Sequence, residues 1–227
     1  MNLLKKAIIG LVVILVFLLA IGMFLPKLNK VERSTSIKAP AEIVFDQLND
    51  LQKADKWSPW KDGDPTMKIT FGQTTVGKGA TTSWTAKKMG EGTQTIVESV
   101  PNSTVKLLLQ FKGMGTADVT YALVPADEAI TVTQTMVSDA GNNPFVRWVN
   151  LLTKGMLGGM FEKGLANLKS VSEIEVVEWN AKKLAEAEAA KAQAISDSTA
   201  AQAQADSIAA AIKNNRGHKS KKALHSK

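Results

Sequence analysis

The sequence predicts an α+β protein: an antiparallel sheet of about seven strands crossed by a long C-terminal helix, with one transmembrane helix ahead of it. Three observations predict this. Residues 7–25 are nineteen positions without a charge. From Val31 to Met136 the apolar residues recur at every second position, in runs separated by turn residues. From Phe145 onward they recur at helical spacing.

The apolar run comes first. At 1.5 Å per residue it spans roughly 28 Å, close to the ~30 Å hydrocarbon core of a bilayer. Lys5 and Lys6 precede it, and Pro26, Lys27 and Lys30 follow. A cleaved signal peptide is the alternative, with Ala20-Ile21-Gly22 as the small-residue site, but the run continues past it through Met23-Phe24-Leu25. Lys5, Lys6 and the amino group favour the N-terminus inside and the domain outside the cytoplasm, against the pull of Lys27, Lys30 and Arg33. The expected organisation is a flank at 1–6, a transmembrane helix at 7–25 and a linker at 26–31. A domain follows at 32–175, then an Ala-rich, partly helical extension at 176–213 and a basic disordered tail at 214–227.

The strands follow in order. Val31, Arg33, Thr35 and Ile37 share one side of the first. Ala39-Pro40-Ala41-Glu42 opens a short helix with Ile43, Val44, Phe45 and Leu48 behind it. A further helical turn leads to Trp57-Ser58-Pro59-Trp60, and Asp62-Gly63-Asp64-Pro65 reads as a turn. Six more strands succeed one another. Their inward residues include Ile69 and Phe71, Thr82 and Trp84, Val105 to Phe111, Ala117 to Leu123, and Ile130 to Met136. A sheet of that size curls. Two stripes then mark the long helix, Phe145, Val149, Leu152, Met156 and Met160 beside Leu157, Phe161, Leu165 and Leu168. Together they predict a wide apolar arc lying across the sheet. Gly155, Gly158, Gly159 and Gly164 within it imply either close packing or a weak point.

Charge argues against nucleic acid as a partner. The net charge is +7, but Lys213, Arg216, Lys219, Lys221, Lys222 and Lys227 supply six positive charges at the C-terminus. Residues 34–175 hold 14 basic and 15 acidic side chains, so the domain offers no basic stripe. There is no cysteine, and both histidines, His218 and His225, fall in the tail. That excludes Cys–His and Ser–His–Asp nucleophiles and His-based metal sites from the domain. No catalytic residue, metal site or cofactor is expected. Any acid–base chemistry falls to carboxylates, Lys or the lone Tyr121. Glu98 and Asp118 read as solvent-facing strand positions, and Asp62 and Asp64 as turn residues.

The strand leading to Ala39-Pro40-Ala41-Glu42-Ile43-Val44-Phe45, the Trp57-Ser58-Pro59-Trp60 segment, the strand series and the long C-terminal helix resemble the SRPBCC superfamily. These are the START-like, polyketide cyclase/dehydrase and lipid transport domains. Val76-Gly77-Lys78-Gly79-Ala80, Ile96-Val97-Glu98-Ser99-Val100-Pro101 and Phe161-Glu162-Lys163-Gly164-Leu165 are similar to a bacterial branch with an N-terminal membrane helix. The resemblance implies a helix-grip fold, with a curved sheet around the long helix and a cavity between them. It also implies a bacterial cytoplasmic membrane and a lipid or other apolar small molecule as partner.

Under that resemblance Trp60, Trp84, Phe111, Gln134, Met136, Met156 and Met160 are the candidate cavity residues. Each apolar one alone reads as ordinary core. Met adapts to varied ligands, and Gln134 needs a polar partner on its apolar face. The expected function is membrane-tethered binding, or transfer, of a lipophilic molecule. A cyclase- or dehydratase-type enzyme and a protein-interaction module are the alternatives. The basic tail offers a contact with anionic headgroups.

Overall fold

The computed structural model describes the backbone of residues 2–224 and the side chains of residues 2–209. Residues 1–176 form one compact unit and 177–227 a second.

The first unit begins with α1 (Leu3–Phe24), a 22-residue helix of mean hydropathy 3.1, long and apolar enough to cross a membrane. The sheet strands are β1 (Leu28–Ile37), β2 (Lys68–Phe71), β3 (Thr81–Ala86), β4 (Gly90–Val100), β5 (Thr104–Phe111), β6 (Gly115–Ala126) and β7 (Ala129–Asp139). All neighbours pair antiparallel in the order β1-β7-β6-β5-β4-β3-β2. Short helices α2 (Ala41–Asn49), α3 (Leu51–Trp57) and α4 (Trp60–Gly63) fill the β1–β2 connection. Asp50 caps α3 by accepting from the amides of Gln52 and Lys53. The long helix α5 (Pro144–Leu224) starts at Pro144, with Asn143 Oδ1 accepting from the amides of Phe145 and Val146. The seven antiparallel strands and the long helix match the architecture expected from the sequence.

The alternation of each strand decides what α5 meets. On the concave face, cross-strand partners form rows. Val31, Met136, Val119, Leu107 and Ile96 are in register across β1-β7-β6-β5-β4 and all are buried. Phe161, Leu165 and Leu168 of α5 are at most 2% exposed and belong to the same core. Truncating one such leucine to alanine typically costs about 2–5 kcal/mol. Near its far end the unit is fastened by polar contacts. Gln47 Nε2 donates to Glu175 Oε2 at 2.6 Å, and Lys53 Nζ bridges Glu175 Oε1 at 3.3 Å and Asp46 Oδ2. Burial opposes the Lys53 charge, but Asp46 and then Glu175 raise its pKa above the ordinary value.

Three expectations need correction. The segment read as a linker, 26–31, belongs mostly to the sheet. β1 begins at Leu28 opposite Asp139, and Lys27 O accepts from the amide of Ala140 at 2.9 Å. The two helical stripes also part. Leu157, Phe161, Leu165 and Leu168 pack inward, while Phe145 is 63%, Leu152 75% and Met156 57% exposed. Periodicity gives an arc but not the part of it that meets the sheet. Finally, the tail expected to be disordered from 214 continues α5 as far as Leu224, as its Ala-rich lead-in favours. Residues 225–227 lie outside the described residues.

Of the α5 glycines Gly155, Gly158, Gly159 and Gly164, two are sites of close approach. A β-carbon on Gly158 would lie 2.4 Å from Arg33 Nη2, and one on Gly164 would lie 3.2 Å from Pro59 Cδ. Gly155 and Gly159 meet nothing within 4 Å.

The C-terminal end of α1 packs on the first turn of α5. Gly22 is buried, and a β-carbon there would lie 2.9 Å from Pro144 Cβ and 3.0 Å from Trp148 Cδ1. Arg147, 6% exposed, donates from Nη1 to Met23 O (2.5 Å) and Leu25 O (3.2 Å). Its Nε and Nη2 donate to Gly141 O. Trp148 Nε1 donates to Leu18 O at 2.9 Å.

In the second unit, Lys183 Nζ stands 5.5 Å over the Trp179 ring, and Gln193 and Gln202 donate to Asp197 and Asp206 one helical turn on. Leu184, Ile195 and Ile208 are exposed.

Candidate ligand site on the concave face

The concave face is not buried evenly. The row next to the central one contains Arg33, Gln134 and Tyr121, in register across β1, β7 and β6. Arg33 is satisfied: its Nε donates to Glu162 Oε1 at 2.6 Å and its Nη1 to Glu32 O at 2.8 Å. Gln134 is 6% exposed, and Trp57 stands edge-on to Tyr121 at 6.4 Å. Burial raises the Tyr121 pKa, with no hydrogen bond contributing. Tyr121 and Gln134 are thus adjacent polar side chains on the concave face, in register across β6 and β7.

At the opposite end of the strands lies the row Phe111, Gly92, Trp84 and Ile69. Gly92 makes this row possible. A β-carbon on it would fall 2.3 Å from Trp84 Cζ2 and 2.5 Å from Gln110 O, so the indole lies directly on the neighbouring backbone. Trp84 meets Phe111 edge-on at 5.6 Å. Both remain half-buried, as do Ile69, Phe71 and Leu109. Trp60 packs edge-on against Phe161 at 6.4 Å. Met160 and Met89 converge at Gly63, where a β-carbon would lie 3.2 Å and 2.7 Å from their methyl groups.

Of the seven candidate residues, Trp84 and Phe111 therefore stand together at one end, and Trp60 and Met160 flank α4 and α5 nearby. Met136 lies in the buried central row and Gln134 in the polar row beyond it. Met156 is on the exposed face of α5, and Met114, in the β5–β6 turn, is 51% exposed. The described residues also form an open groove of about 460 Å³ lined by Met67, Lys68, Thr85, Lys87 and Glu91, at the β2–β3 margin.

Three of the four carboxylates singled out in the sequence, Asp62, Asp64 and Glu98, have structural partners. Asp64 is fully buried and accepts from Thr66 (amide and hydroxyl), Lys88 N and Met89 N. These bonds, the Thr66 hydroxyl first, lower its pKa to about 2 against the opposing effect of burial. Asp62 pairs with Lys163 at 2.8 Å and Glu98 with its cross-strand neighbour Lys106 at 2.7 Å. Sequence reasoning missed Arg147 and Trp148. The available signal was a lone arginine between apolar residues at the start of the long helix.

A seven-stranded antiparallel sheet holding a long C-terminal helix against its concave face is a helix-grip fold. The chain belongs to the family described as polyketide cyclase / dehydrase and lipid transport, whose profile matches residues 29–173. The family points to a hydrophobic-ligand-binding or polyketide cyclase-like fold. No curated protein matches the chain. Solved structures similar in fold include protein CV1439 from Chromobacterium violaceum, at 15% identity and TM-score 0.48, covering 64% of this chain and 98% of that one. Another is the di-domain ARO/CYC StfQ of the steffimycin biosynthetic pathway, at 11% identity and TM-score 0.49, covering 65% and 51%. A third is the Aha1 dimer from Colwellia psychrerythraea, at 18% identity and TM-score 0.46, covering 64% and 96%.

Proposed function

We propose that the protein binds a lipid-like, apolar molecule at the half-buried aromatic end of its concave face, and that α1 holds that site at a membrane. One observation carries this reading: the inward row Trp84–Gly92–Phe111 stays half-buried while the central row Val31–Met136–Val119–Leu107–Ile96 is closed. An inward-facing aromatic surface left partly uncovered leaves favourable burial for a ligand, about 25 cal/mol per Å² of apolar surface. The same strand ends carry Leu28 and Asp139, beside the last turn of α1. The site therefore lies at the end of the sheet nearest the bilayer, and a ligand need not cross bulk water. Tyr121 and Gln134 supply polar groups deeper on the same face, in keeping with apolar sites that fix a ligand by a few polar contacts.

The test is photolabelling of the full chain in phosphatidylcholine vesicles with a diazirine fatty acid, followed by peptide mapping. Saturable labelling near Trp84, Phe111 or Met160, reduced by Phe111→Glu, is the expected result. Labelling confined to α1 would defeat this reading. The closed packing around Phe161, Leu165 and Leu168 favours the second reading, a protein-interaction module, which that outcome would leave standing.

A further inference from the structure

We propose that the first three turns of α5 form a second membrane contact, immersed in the leaflet from which the domain emerges. The proposal rests on α1 being a retained membrane span. Trp148 donates to the carbonyl of Leu18, seven positions before the end of the apolar run at Leu25. At 1.5 Å per residue that acceptor lies roughly 10 Å inside the end of the run. Pro144 and Trp148 pack at the level of Gly22, three positions before that end. When α1 spans a core of ~30 Å, the start of α5 is carried to the boundary between headgroups and acyl chains.

The surface at that level has the matching chemistry. Phe145, Leu152 and Met156 recur on one side of α5 and are 63%, 75% and 57% exposed, with Leu151 at 51% beside them. α1 is itself exposed along most of its length, with Leu11, Ile14, Leu15 and Phe17 all more than half exposed. Water is a poor partner for such a stripe, and contiguous exposed apolar surface marks an interaction site. Trp148 is the residue type enriched at the membrane interface.

Arg147 explains why the joint holds there. Met23 and Leu25 lie at the C-terminal end of α1, where carbonyls lack helical amide donors. Arg147 donates to both, and its remaining contacts go to Gly141 O. A buried cation at a helix C-terminus is stabilised by these carbonyls and by the helix dipole. A cleavable signal segment has no need of such contacts with the mature domain. The docked joint fixes the orientation of the domain, because the covalent link from Phe24 to β1 is only Leu25, Pro26 and Lys27.

The chain has no cysteine, so single nitroxide labels report depth without removing native residues. The full chain carries Phe145→Cys, Leu152→Cys, Leu11→Cys or Asp118→Cys, each in phosphatidylcholine vesicles. Collision rates with oxygen and with a water-soluble nickel chelate are then compared. The expected result is that positions 145 and 152, like 11, collide several-fold more with oxygen than with nickel, and that 118 does the reverse. Position 11 in lipid with 145 and 152 in water would overturn the immersed contact and leave the anchor intact. Position 11 in water would overturn both. Because positions 145 and 152 are exposed, the labels do not disturb the core. Arg147→Ala should lower the oxygen preference at 152 without changing it at 11. An unchanged value at 152 would show that the α1–α5 joint does not hold the contact.

Discussion

Gln47 and Glu175 join the first helix after β1 to the last turn of the compact unit, amide to carboxylate at 2.6 Å. With Lys53 on the other oxygen, Glu175 marks where the structural need for α5 ends. A chain of residues 26–176 should therefore melt cooperatively within a few degrees of one running 26–227. A chain ending at 170 loses Val171, buried Ser172, Glu175 and Val176. Its melting temperature should fall by about 5–10 °C, as for a loss of ~2–3 kcal/mol in a domain of this size. Equal melting of the two shorter chains would show that this clamp is idle.

Asp64 predicts an acid limb of stability. Its folded pKa, about 2, lies below the ordinary 3.8, so the folded state favours the carboxylate. The contribution is complete above pH about 4 and is lost as pH falls toward 2. Asp64→Asn should lower the melting temperature near neutrality and flatten its dependence between pH 4 and 2. Parallel pH profiles for the two proteins would refute this.

Tyr121 is the only tyrosine, so absorbance at 295 nm reads it alone. Burial raises its pKa. The folded state thus holds a proton that the unfolded chain loses near pH 10, and stability falls as pH rises past 10. The native protein should show no phenolate absorbance at pH 10.5 until it unfolds. Tyr121→Phe removes the titrating group and should abolish this alkaline loss of stability. A normal native titration near pH 10 would contradict both expectations.

Gly92 predicts a steric limit. Any side chain there meets the Trp84 ring and the Gln110 carbonyl. Gly92→Ala should cost about 1–3 kcal/mol, the usual range for overpacking, and should shift Trp84 fluorescence. Chemical denaturation checks the first and emission spectra the second. A neutral effect would mean that the indole does not lie on the β4 backbone.

The sheet was legible in the sequence because its period of two survives each strand. Val31, Val119, Leu107, Val132 and Met136 were all placed inward by alternation alone. The bulge between Ile96 and Glu98 was not, since an extra residue shifts the phase within a short strand. The register that puts Tyr121 beside Gln134 depends on β6–β7 pairing, which no local pattern reveals. Trp84 and Phe111 were readable as inward residues, but Gly92 between them has no side chain and leaves no mark on the alternation. The exposure of Met156 follows from how α5 is rotated on the sheet, and helical spacing carries no such information. The start of β1 was hidden because Leu28, Asn29 and Lys30 gain strand geometry from β7 rather than from their own alternation.

The placement of β1 also sets an order of events during synthesis. β1 is an edge strand leaving α1 after three residues, and its only neighbour, β7, begins about ninety residues after β1 ends. At ~5–20 residues per second, β1 waits for several seconds with its backbone groups unpaired. Its outward positions, Lys30, Glu32, Ser34 and Ser36, are exposed and polar, and charged edge strands resist pairing with another chain. The charges that contribute little to the finished sheet thus guard the nascent chain while its neighbour is still being made.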